Sequence, residues 1–120
     1  MDNRWILVVD DEDAIRELVA EMLTFEGYTV ESARNGRDAL RMMGSTLPSL
    51  ILLDLNMTVL DRFGFVKALV RRGITVPTIL VSAAANLANH AKDLGAVAFV
   101  GKPFEIAHLL MTVERHCQTA

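Results

Sequence analysis

Two hydrophobic rhythms alternate along this chain. Short apolar runs at 5–9 (WILVV), 28–33 (YTVESA), 50–54 (LILLD), 77–82 (PTILVS) and 97–100 (VAFV) read as β-strands, several of them apolar at successive positions. Unbroken apolar runs of this kind are expected where both faces of a parallel sheet are covered. Between them lie segments with helical spacing. Ile15, Leu18, Val19, Met22 and Leu23 share one helix face, with Gly27 as the stop. Ala39, Leu40 and Met43 mark a second helix ending near Gly44, and Phe65, Val66, Leu69 and Val70 a third ending at Gly73. Residues 84–94 are rich in Ala and Asn, and Leu87 and Leu94 are their large apolar side chains, so this fourth helix is the faintest. Ile106, Leu109, Leu110 and Val113 give the fifth, entered just after Pro103.

Strands alternating with helices imply parallel strands joined by right-handed crossovers, and in such an open sheet ligands sit outside the carboxyl ends of the strands. After the first strand come Asp10, Asp11, Glu12 and Asp13; after the third, Asp54; after the fourth, Ser82 and Ala83; after the fifth, Lys102 and Pro103. If the first and third strands are neighbours, several carboxylates converge. Like charges that close either raise a pKa or recruit a cation, and all-oxygen donors at an open, wet mouth suit Mg²⁺. Acids also favour helix N-termini, which accounts for Asp13 and Glu12 as caps. Capping does not account for Asp54, an acid at the end of an apolar run and followed by Leu55-Asn56-Met57 rather than by an immediate helix.

Composition narrows the class without naming the chemistry. At 120 residues, 52% hydrophobic and 22% charged, the chain has the size and content of one folded domain, and no low-complexity tract or linker divides 1–120. A net charge of -3 argues against a domain that holds nucleic acid by itself. One cysteine, Cys117, excludes an internal disulfide and suits a reducing compartment. The N-terminal apolar run is short and ends in acids, unlike a signal peptide, and no segment is long enough to span a membrane; a cytoplasmic location is the expectation. His90, His108 and His116 show no ligand spacing and are expected to face solvent. Arg71-Arg72 reads as a solvated helix end, and Trp5 as packing near the start of the first strand.

Four motifs at the strand ends resemble the receiver domains of two-component response regulators: VVDDE with Asp10 and Asp11, LLDLNM with Asp54, Ser82-Ala83 after TILV, and GAVAFVGKPF (95–104) with Lys102-Pro103. The resemblance runs over nearly the whole chain, with the elements in the same order. It implies a single doubly wound, five-stranded parallel sheet of flavodoxin-like order 2-1-3-4-5, with helices on both faces. It implies that Asp54 takes a phosphoryl group from a phosphohistidine on a sensor histidine kinase or phosphotransfer protein. A carboxylate is a competent nucleophile that forms an acyl phosphate, and the transfer depends mainly on positioning and charge neutralisation. By the same resemblance, Mg²⁺ (or Mn²⁺) is held by Asp11, Asp54 and the backbone carbonyl of Asn56, while Asp10 acts through bound water. Lys102 supplies a compact positive charge and Ser82 a hydroxyl to phosphoryl oxygens; Ala83 is small enough to let a backbone N–H approach; Pro103 follows a cis peptide. The domain would catalyse only its own phosphorylation and dephosphorylation. Ser82 drawn toward the phosphoryl group, with Phe99 turning inward behind it, would switch the face of helix four, strand five and helix five. A downstream protein, a fused output domain or a second phosphorylated copy would read that face.

The sequence departs from the family's pattern where Thr58 replaces a proline and Arg62 a glycine. The first change frees a backbone N–H, and the second costs stability if the turn there requires a positive φ. Three rival readings are weaker. A phosphatase of the haloacid-dehalogenase type would use Asp11 in an acidic D-x-D, but needs a second acidic pair where Lys102-Pro103 stands. A flavodoxin-like cofactor binder needs a hydroxyl-rich phosphate loop where the acids stand. A pseudo-receiver, kept only as an interaction module, is disfavoured by the presence of Asp11, Asp54, Ser82 and Lys102.

Overall fold

Each apolar run forms a strand, shortened or shifted by one or two residues. The computed structural model describes residues 5–56 and 62–117. Its elements alternate strictly: β1 (Ile6–Val9), α1 (Asp13–Phe25), β2 (Val30–Ala33), α2 (Gly36–Met42), β3 (Leu50–Leu53), α3 (Arg62–Arg71), β4 (Thr78–Ser82), α4 (Leu87–Leu94), β5 (Ala98–Gly101) and α5 (Ile106–His116). The strands pair in parallel in the order β2-β1-β3-β4-β5, the order implied by the family resemblance.

The unbroken apolar runs follow from the two-residue period of a strand. Ile6 and Val8 of β1, Leu50 and Leu52 of β3, and Ile79 and Val81 of β4 face one way, onto Val19 and Leu23 of α1 and Leu109 and Val113 of α5. Leu7, Val9, Ile51, Leu53 and Leu80 face the other way, onto Leu40 of α2, Phe65 and Leu69 of α3, and Leu87 and Ala91 of α4. Both parities are therefore buried, and each fully buried Leu, Ile or Val contributes roughly 1.5–3 kcal/mol. The split of the helices follows from handedness. The step from β1 to β2 runs one way across the sheet and the later steps run the other, so right-handed crossovers put α1 on the opposite face from α2, α3 and α4. β1 and β3 are thus neighbours whose onward connections leave on opposite faces, and a crevice opens at their carboxyl ends.

Helix limits have local causes. Gly27 and Gly73 have φ of 99° and 68°, and the residues after them, Tyr28 and Ile74, donate their N–H groups to the carbonyls of Leu23 and Leu69. These left-handed stops close α1 and α3 where the sequence placed them. α2 ends without one, because Gly44 does not take a positive φ. α4 begins at Leu87 rather than at residue 84, since Asn86 is left-handed (φ 57°) and interrupts the helical backbone. Leu18, Val70 and Ile106, assigned to buried faces, are exposed. Each of those helices buries an i, i+4 pair against the sheet, and the flanking apolar residue reaches past its edge. His108 is exposed as expected, whereas His90 and His116 are half-buried. Arg72 is exposed but reaches across to the Leu40 carbonyl of α2 (3.2 Å). Arg62 is the first residue of α3 and so lies in helical backbone, where no positive φ is required; its side chain, and Thr58, lie outside the described residues. Among the described residues no helix is long and apolar enough to cross a membrane.

Candidate functional site

The carboxyl ends of β1 and β3 are tied by backbone, since the Asp54 N–H donates to the Val9 carbonyl (3.0 Å) and the Asp10 N–H to the Ala33 carbonyl of β2 (3.1 Å). Asp10 and Asp54 therefore leave adjacent strands side by side, 4% and 2% exposed. On the far side of β4, the Lys102 N–H donates to the Ser82 carbonyl (2.9 Å), which fixes the root of the lysine side chain. The Lys102–Pro103 peptide is cis. From there Lys102 reaches back over the strand ends. Its Nζ lies 2.9 Å from Asp10 Oδ2, 3.2 Å from Glu12 Oε1 and 3.6 Å from Asp54 Oδ2, with the side chain only 10% exposed.

Charge is unevenly balanced here. Burial and the charge of Asp10 push the Asp54 carboxyl above the usual carboxylate range, with a smaller push from Asp11; Lys102 and the Asn56 backbone amide pull the other way. Burial alone would lower Lys102, but its hydrogen bond to Asp10 and the charge of Asp54 outweigh it, so the ammonium holds its proton above the usual lysine value. Both Asp10 oxygens are engaged, Oδ1 accepting the Glu12 N–H (2.9 Å) and Oδ2 the lysine. Asp54 Oδ1 differs: it is buried and accepts no hydrogen bond among the described residues. A buried carboxylate oxygen in that state is costly, and calls for a ligand. Carboxylate oxygens of Asp10, Glu12 and Asp54 lie within 4.8 Å of one another. These hard donors, in excess over one ammonium, fit Mg²⁺ or Mn²⁺.

The other expected residues surround this cluster. Ser82 is buried at the end of β4, its Oγ accepting the Ala84 N–H (3.1 Å), and Ala83 is exposed beside it. Asn56 is exposed two residues beyond Asp54. Phe99, set opposite Leu80 in β5, is 44% exposed, so it is not an ordinary core aromatic. Asp11 is exposed, and among the described residues Lys102 pairs with Asp10, Glu12 and Asp54 rather than with Asp11. An acid directly before α1 is expected to cap the helix. Glu12 does stand at the N-cap of α1, but its side chain makes no capping bond. It follows a bend at Asp11, and its N–H donates to Asp10 Oδ1 (2.9 Å), a local turn that leaves both carboxylates beside Lys102; an acid two residues after Asp10 was the available signal. Arg16 was also overlooked. Its Nη1 donates to the Asp10 carbonyl (2.9 Å) and its Nη2 to Asp13 (2.6 Å). Its position three residues after Asp13, on one helix face, was the clue.

Residues 6–114 match the family described as the response regulator receiver domain. The chain belongs to that family. Response regulator MprA of Mycolicibacterium vanbaalenii is 36% identical over 107 residues, covering 88% of this receiver and 46% of that protein. The chain spans less than half the length of the curated relatives it matches. Among solved structures, the receiver domain of NtrX from Brucella abortus superposes with a TM-score of 0.85 at 33% identity, over 96% of this chain and 99% of that one. The response regulator TrrA of Thermotoga maritima, in complex with Mg²⁺ and BeF, gives 0.81 at 31% identity, over 93% and 97% of the two chains.

Proposed function

We propose that this receiver accepts a phosphoryl group on Asp54 from a phosphohistidine of a sensor histidine kinase or phosphotransfer protein, in a reaction that requires Mg²⁺ or Mn²⁺. The observation that carries the reading is the Asp54 carboxylate, buried among like charges, with one oxygen unpartnered and an ammonium beside the other. An Asp54 oxygen attacks phosphorus in line with the P–N bond, which breaks as its electron pair leaves with the imidazole. A bound divalent cation would offset the charge that builds on the phosphoryl oxygens. Asp54, Asp11 and the Asn56 carbonyl would hold it, with Glu12 within reach; Asp10, whose oxygens are already engaged, would act through water. Lys102 exchanges a carboxylate contact for a phosphoryl oxygen. The Ser82 hydroxyl, its oxygen already accepting from Ala84, keeps its proton to donate to another. Hydrolysis of the acyl phosphate resets the site, and no other substrate is turned over.

The signal then passes through Ser82 and Phe99. Ser82 moves toward the phosphoryl group, and Phe99, half-exposed before the reaction, turns inward toward the space behind it. The α4-β5-α5 face changes with it and is read by a downstream protein, a fused output domain or a second copy. The TrrA complex with Mg²⁺ and BeF supports the acceptor chemistry proposed above, because BeF stands in for a phosphoryl group in a relative of similar fold.

Incubation with Mg²⁺ and a small P–N donor such as phosphoramidate tests the reaction. The expected product is one acid-stable, base-labile phosphoryl group, mapped to Asp54 after borohydride reduction. Label on Asp11 would favour a phosphatase-like mechanism, and no label a pseudo-receiver.

A further inference from the structure

Arg16 lies in the first turns of α1, apart from the reacting groups, yet its side chain is only 12% exposed. Its two guanidinium nitrogens are committed in different directions. Nη1 donates to the Asp10 carbonyl at 2.9 Å, and Nη2 to Asp13 Oδ1 at 2.6 Å. The Asp10 carbonyl belongs to the peptide that leads into Asp11, at the point where the chain leaves β1. A donor on that carbonyl restrains the peptide plane, and with it the direction in which Asp11 leaves the backbone. Asp13 holds the guanidinium from the outer side, its exposed carboxylate accepting from Nη2 three residues before Arg16 on the same helix. Asp10 is restrained at three further points: its N–H by Ala33, its Oδ1 by the Glu12 N–H and its Oδ2 by Lys102.

We infer that Arg16 is a positioning residue for the acidic site: its guanidinium fork, braced by Asp13, fixes the Asp10–Asp11 peptide so that the acids after β1 are presented to a divalent cation together with Asp54. The inference rests on the reading of Asp54 and its neighbours as a cation-dependent phosphoacceptor site. It concerns geometry, and geometry and charge predict opposite outcomes. A cation beside an acidic pocket repels Mg²⁺, so loss of its charge alone tightens Mg²⁺ binding. Loss of the brace misdirects donor groups and weakens it. Lysine keeps the charge but is a point donor that cannot reproduce the fork.

The test is the Mg²⁺ concentration dependence of thermal unfolding, at constant ionic strength, for the whole chain and for Arg16→Gln and Arg16→Lys. Positioning predicts that both variants bind Mg²⁺ roughly tenfold more weakly, in the range seen when groups that orient metal ligands are removed. Tighter binding in Arg16→Gln with unchanged binding in Arg16→Lys would show that only charge matters and would overturn the inference. So would wild-type affinity in both. If Arg16→Gln lacks a cooperative transition, Arg16→Lys decides alone: weakened affinity supports the brace and wild-type affinity rejects it. If the unsubstituted chain takes no phosphoryl label and is not stabilised by Mg²⁺, the reading of the site falls, and this inference with it. Normal labelling with unaltered Mg²⁺ affinity in the variants removes the inference alone.

Discussion

At the scale of single residues, the site holds destabilising charge in place. Asp54 has a folded-state pKa above its unfolded value, so the folded protein binds its proton more readily than the unfolded chain does. Stability from this group is therefore greatest at acid pH and falls as pH rises from the usual carboxylate range through the raised value. Asp54→Asn removes the charge. Without divalent cations at neutral pH it is expected to raise the unfolding free energy by on the order of 1 kcal/mol, read by urea denaturation. That gain should shrink toward acid pH, and shrink again in Mg²⁺ if, as proposed, the cation is held more tightly with the Asp54 carboxylate in place. Lys102 stabilises the fold at neutral pH, and its pH dependence has the same sign as that of Asp54, displaced to higher pH. Its raised pKa means that its contribution is complete below the usual lysine value and is lost only as pH climbs through the raised one. Lys102→Gln leaves Asp10 and Asp54 facing each other, and should cost roughly 2–3 kcal/mol at neutral pH, less with Mg²⁺ present. The sequence made Asp54 conspicuous because an acid interrupts an apolar run. It gave no comparable mark to Glu12, since an acid before a helix has a sufficient explanation in capping, and only the bend at Asp11, closed by the Glu12 N–H on Asp10 Oδ1, brings it to Lys102.

At the scale of elements, the stops and caps that shape the loops under the site are local. Gly27 and Gly73 take left-handed backbone with open space where a Cβ would go, so the cost of a side chain there is conformational rather than steric. Gly27→Ala and Gly73→Ala should each lower stability by about 1 kcal/mol, visible as a lowered melting temperature with phosphoryl acceptance intact. Asn35 caps α2 by accepting the Asp38 N–H (2.8 Å), and Asn35→Ala should cost about as much. These stops were legible because glycine followed a periodic apolar stretch. The start of α4 was not, because residues 84–86 are compatible with helix and only the left-handed Asn86 excludes them. The exposure of Leu18, Val70 and Ile106 was hidden for a related reason: helical spacing defines a stripe, whereas the width that the sheet covers is a tertiary fact.

At the scale of the whole molecule, the sheet's two apolar faces and its topology bring residues 10, 12, 54 and 102 into one cluster. The alternation of strands and helices was enough to predict a parallel sheet and a site at its carboxyl ends. The strand order came with the family resemblance, since no local pattern says that β1 sits between β2 and β3. The proposed switch also belongs to this scale. With fluorophenylalanine incorporated, the Phe99 resonance should move toward that of a buried ring when Asp54 is phosphorylated, and stay fixed in Asp54→Asn. The most direct measurement of the central geometry is a crystal structure of the chain grown with Mg²⁺ and beryllofluoride. The expected density has beryllofluoride on an Asp54 oxygen, a cation touching Asp54 and the acids that follow β1, and Lys102 Nζ turned onto a fluoride. Beryllofluoride bound at another residue, or a cluster at Asp54 that takes up neither group at saturating concentration, would contradict it.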